Sequence, residues 1–153
     1  MRRPTGSIFL ADAVHHHRDG SVTILSGDMT NRHPDDGSVA AVVSVQVPWP
    51  DDDRYHAGDD VAIELELWLA KDLEERTSGA LAGLRTEVPI PERSDLAAVL
   101  PPPTTFTDAR IGTSLEEDRL YIVLLKVDGD VVDWAPFDTY PLEQPPSPQP
   151  GGD

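Results

Sequence analysis

Three groups of side chains in this 153-residue chain could do chemistry, and the first is the run His15-His16-His17. On an extended strand His15 and His17 share a face, because successive side chains alternate. Two imidazoles so placed bind zinc or nickel when a third ligand joins them. His33 or His56 could be that ligand, although nothing in the sequence brings either one near, and a solvated hairpin loop accounts for the same run. The second group is carboxylates. Asp51-Asp52-Asp53 and Asp59-Asp60 flank one loop, and Asp35-Asp36-Gly37 lies in another. Calcium takes about six to eight oxygen ligands, and the end loops of a β-sandwich can converge to supply them. The spacing is not that of an EF-hand, and loops are often acidic for solubility alone. The third group is the tryptophans. Trp68 shares a strand face with Glu64 and Glu66, Trp49 lies between Pro48 and Pro50, and Trp134 precedes Ala135-Pro136. Outward tryptophans beside a polar rim anchor protein interfaces.

Catalytic patterns are missing. None of the serines sits in a Gly-x-Ser-x-Gly elbow, and the chain holds neither a phosphate-binding loop nor a dinucleotide fingerprint. The absence of cysteine removes disulfides, thiolate zinc sites and cysteine nucleophiles. With 28 acidic against 12 basic residues the formal net charge is −16, so nucleic acid and anionic lipid are repelled. A basic protein or a divalent cation suits this surface better. Solubility in a salty cytoplasm would also explain it.

These side chains need elements to position them, and the pattern is that of strands. In Val61-Ala62-Ile63-Glu64-Leu65-Glu66-Leu67-Trp68-Leu69 every odd position is apolar. A period of two places Val61, Ile63, Leu65, Leu67 and Leu69 on a core, with Glu64, Glu66 and Trp68 outside. Ala40–Val47 reads as a second strand, with Val43, Val45 and Val47 inward. Leu120–Val127 is apolar on nearly both faces, as a central strand is. Asp19-Gly20 predicts a hairpin between Ile8–Val14 and Val22–Leu25, and Asp128-Gly129 one between Leu120–Val127 and Val131–Trp134. Weaker strands fall at Leu84–Ile90 and Thr105–Ile111. Helix is confined to one turn at Asp72–Arg76 and another that Ser94 would cap.

About eight short strands at hairpin spacing predict an all-β, antiparallel sandwich. Residues 1–142 form one domain in this reading, and residues 143–153, rich in proline and glycine, a disordered tail. The apolar run at Ile8–Ala11 is too short for a signal-peptide core, and no window matches a membrane span. A cytoplasmic location is the expectation.

The opening Phe9-Leu10-Ala11-Asp12-Ala13, then Asp19-Gly20 and Val22-Thr23-Ile24-Leu25-Ser26-Gly27, resembles that of a family of short uncharacterised bacterial proteins with an LADA…DG…ILGG opening. The valine-rich strand ending near Pro48-Trp49 and the Tyr121–Gly129 segment extend the resemblance over roughly Ile8 to Leu142. Asp28 replaces the family's second glycine. The resemblance implies an immunoglobulin-like sandwich and brings no activity with it.

The expected function is therefore a non-enzymatic binding or structural module. Its partner, a protein of basic character, would contact Trp68, Glu64 and Glu66. The alternative is a calcium-dependent module using Asp51, Asp52, Asp53, Asp59 and Asp60. A metal enzyme built on the histidines is a third course. An edge strand such as Val131–Trp134 could pair with a second copy to give a homodimer.

Overall fold

The computed structural model describes residues 4–25, 27, 31–47, 49–50, 54–93, 95 and 99–141. The chain runs β1 (Thr5–Ala11), β2 (Ala13–His16), β3 (Val22–Leu25), β4 (Asn31–Arg32), β5 (Ser38–Gln46), β6 (Asp60–Leu69), α1 (Ala70–Glu75), β7 (Ala82–Pro89), β8 (Thr104–Gly112), β9 (Leu120–Val127) and β10 (Asp130–Thr139). A 3₁₀ turn at Pro34–Asp36 precedes β5. Ser94, residues 143–153 and the cluster Asp51–Asp53 lie outside the described residues.

Seven long strands form two sheets, ordered β1-β5-β8 and β4-β10-β9-β6-β7. All their pairings are antiparallel except that of the two-residue β4 with β10. The first, second and fifth long strands make one sheet and the remaining four make the other, which is an immunoglobulin-like sandwich. The alternating valines, leucines and isoleucines explain why the sheets stack. Ile8 and Leu10 of β1, Val39, Ala41, Val43 and Val45 of β5, and Ile111 of β8 face inward. They meet Val61, Ile63, Leu65 and Leu67 of β6, Tyr121, Val123, Leu125 and Val127 of β9, and Phe137 of β10. Each side chain removed from water in this way stabilises the fold by about 1.5–3 kcal/mol before chain entropy is counted.

The N-terminal hairpin differs from its expected form. Ile8–Val14 is not one strand: the chain bends at Asp12, and β1 and β2 belong to different sheets. Asp12 Oδ1 accepts from Nη1 of the buried Arg32 at 3.0 Å, and the Asp12 N–H donates to the Leu25 carbonyl at 3.0 Å. The Asp19-Gly20 turn does join β2 to β3, as a separate ribbon. That ribbon lies on the outside of β1 and β5, where Ala11, Ala40 and Val42 form a second small core with Phe9 and Val14. This explains why β5 is apolar on both faces.

The corner before β9 is closed by side chains. The Glu116 N–H donates to the Tyr121 hydroxyl at 2.8 Å, as in the tyrosine corner of immunoglobulin-like sandwiches. Thr139 Oγ1 accepts from the Arg119 N–H at 3.0 Å and donates to the Glu116 carbonyl at 2.6 Å. The Tyr121 ring stacks on Phe137 with centroids 5.3 Å apart.

Candidate functional site

The outer face of the five-stranded sheet follows from register. β9 pairs with β6 so that Glu64 faces Lys126, Glu66 faces Leu124 and Trp68 faces Ile122. β7 places Arg85 opposite Glu64. Glu64, Glu66 and Trp68 all point away from the core, and each is half-buried. Glu66 is held from two sides: Lys126 Nζ donates to Oε1 at 2.7 Å and Trp68 Nε1 donates to Oε2 at 2.9 Å. Burial acts most strongly on the Glu66 carboxyl and raises its pKa. The hydrogen bonds from Lys126 and Trp68, with the ammonium charge, together outweigh it and hold the group below the ordinary glutamate range. Arg85 Nη1 donates to Glu64 Oε1 at 3.0 Å. The indole of Trp68 is thus tethered to Glu66 through its N–H.

A second tryptophan joins this face. Across the hairpin Trp134 faces Leu124, Pro136 faces Ile122, and Val131 faces Lys126. Trp134 is 55% exposed and Val131 53%. Leu124 points outward yet is only 7% exposed, since its neighbours on that face are Trp134 and Glu66. The result is an apolar strip from Trp68 through Ile122 and Leu124 to Trp134, between a charged ladder and the exposed Asp138. The sequence pattern groups Trp68 with Glu64 and Glu66 but does not bring Trp134 to that face. Strict alternation puts Val131 and Asp133 on one face and Val132 and Trp134 on the other. A bulge between Val131 and Asp133 shifts the register, because the extra residue lets Val131 and Trp134 share a face. Two β-branched residues in succession after a tight turn were the only sequence cue.

The remaining candidates are dispersed. His16 Nε2 is paired with Asp108 Oδ1, His17 Nε2 hydrogen-bonds Thr23 Oγ1 at 2.7 Å, and His15 is exposed at the ribbon. The histidine run thus ties the ribbon together and docks it on β8. His33 Nδ1 accepts from the Asp35 N–H at 3.2 Å, in the turn before β5. Asp59 and Asp60 are exposed where β6 begins, and the Asp59 carbonyl accepts from the Ile90 N–H at 2.7 Å. No group of three or more His, Cys, Asp or Glu arranged to hold a metal exists among the described residues. Trp49 Nε1 donates to the Leu100 carbonyl at 3.2 Å, fastening the exit of β5 to the approach to β8. No described helix is long and apolar enough to cross a membrane.

No family model matches the chain, and no curated protein matches its sequence. Among solved structures it is similar to a glycosyl hydrolase family 2 member from Bacteroides cellulosilyticus, at 11% identity and a TM-score of 0.40. That match covers 65% of this chain and 12% of the hydrolase.

Proposed function

We propose that this domain is a non-enzymatic protein-binding module whose partner docks on the outer face of the five-stranded sheet. The observation that carries the reading is the pairing of Trp68 and Trp134 on one face, either side of Ile122 and Leu124. Rigid aromatic anchors over a desolvated centre with a polar rim are how a few residues supply most of an interface's energy. The charge of that rim selects the partner. Lys126 is engaged with Glu66 and Arg85 with Glu64, while Asp138 is exposed on the same face of a chain of net charge −16. The partner is therefore a protein that presents an apolar knob flanked by lysine or arginine. The proposed setting is the cytoplasm.

The test is affinity capture from the native host with three baits: the wild type, Trp134→Ala, and Phe106→Ala as a control on the opposite sheet. A stoichiometric basic partner held by the wild type and by Phe106→Ala, but lost from Trp134→Ala, supports the reading. A partner held equally by all three baits contradicts it.

A further inference from the structure

β7 is an open edge. It pairs with β6 along Ala82–Pro89 and has no strand on its other side among the described residues. The edge expected at Val131–Trp134 is different: β1 packs beside β10, and Asp133 Oδ2 accepts the Ile8 N–H at 2.9 Å. The Ile90 N–H donates to the Asp59 carbonyl at 2.7 Å, so residues 59 and 90 form a hydrogen-bonded pair. In an antiparallel ladder such pairs alternate, so Val88, Thr86, Leu84 and Ala82 bond to β6. The N–H and C=O groups of Gly83, Arg85 and Glu87 then point outward.

Most edge strands are protected by lysine, bulges, inward charges or proline. β7 has no lysine, its register with β6 is unbroken, and its only proline is the terminal Pro89. Its core-facing side chains are Ala82, Leu84, Thr86 and Val88. Leu84 is 41% exposed although its register turns it toward the core.

The segment Leu84-Arg85-Thr86-Glu87-Val88 is self-complementary about Thr86. We propose that a second copy of this chain adds antiparallel to β7 across a two-fold axis at Thr86, joining two five-stranded sheets into one. In that register Arg85 of each copy lies opposite Glu87 of the other on the outer face. Leu84 lies opposite Val88 on the inner face and gains the cover it lacks. Pairing requires outward-bonding residues to face one another, so the neighbouring registers centre on Arg85 or on Glu87. Those place like charges directly opposite, which is destabilising. Arg85 already reaches Glu64 at 3.0 Å and Glu87 at 3.5 Å in its own chain, and a guanidinium has five donors to share. Local complementarity at this edge offsets the mutual repulsion of two chains of charge −16.

Sedimentation velocity of the full chain tests the proposal, with thermal melts to confirm folding. The wild type should be a dimer at micromolar concentration. Glu87→Pro removes an outward N–H without touching the β6 ladder, where proline is tolerated, and should be a folded monomer. Glu87→Arg should weaken the dimer at least about tenfold through like-charge opposition, and adding Arg85→Glu should restore most of the loss. If Glu87→Pro does not melt cooperatively, the charge reversal and its rescue decide the matter. A monomeric wild type at about 100 μM, or a dimer indifferent to Glu87→Pro and Glu87→Arg, overturns it. Trp134→Ala should leave the dimer intact, which separates this edge from the proposed docking face.

Discussion

Asp128 shows how one residue fastens three segments. It opens the β9–β10 turn with φ 49°, and Gly129 follows at φ 83°, the paired positive values of a tight hairpin turn. Its Oδ1 accepts from the Ala62 N–H at 3.0 Å and its Oδ2 from the Tyr55 hydroxyl at 3.1 Å. Asp128→Ala loses both acceptors and places an alanine in the left-handed region, so it should cost about 3 kcal/mol in a urea melt, and Asp128→Asn clearly less. Tyr55 reports on the same contact. Burial first, then the hydrogen bond and charge of Asp128, push its pKa up to about 12. The unfolded value is near 10, so the folded state retains its proton when the unfolded chain loses it. That contribution to stability is fully present below about pH 10 and is lost as pH rises toward about 12. Melts across this range should show an alkaline decline that Asp128→Asn softens, and tyrosinate absorbance should show the phenol titrating late.

The strands divide into those their own pattern dictates and those that contacts dictate. β6 is the first kind: its odd residues are core and its even residues surface, as a period of two requires. The Asp128-Gly129 hairpin and the central position of β9 follow from local chemistry in the same way. Trp134 is the second kind, since its face depends on a bulge that no alternation announces. The bend at Asp12 is another, because its partner, Arg32, is twenty residues away and buried. Glu64, Glu66 and Trp68 could therefore be placed from the sequence, whereas the strip that completes their face could not. The tyrosine corner gives a prediction at this scale. Tyr121→Phe keeps the ring stacked on Phe137 but removes the acceptor for the Glu116 N–H, and should cost about 1–2 kcal/mol. Thermal unfolding would measure it, and a change within error would mean that water replaces the hydroxyl without loss.

At the scale of the whole molecule, a net charge of −16 surrounds an apolar strip. Charge steers a basic partner toward the molecule, and the tryptophans determine how long it stays. Steering is screened beyond about 8 Å at physiological ionic strength, so salt should slow association more than it speeds dissociation. The sandwich supplies rigidity: β9 and β10 are held by the core, the corner and the Asp128 turn, so the face requires little ordering when a partner arrives. The most direct measurement is calorimetric titration of the captured partner into the wild type and into a folded Trp68→Ala/Trp134→Ala double variant. Binding weakened at least about thirtyfold, equivalent to roughly 2 kcal/mol, with an unchanged melting profile, is the predicted result. Equal affinity in the double variant would contradict the outer face as the binding site.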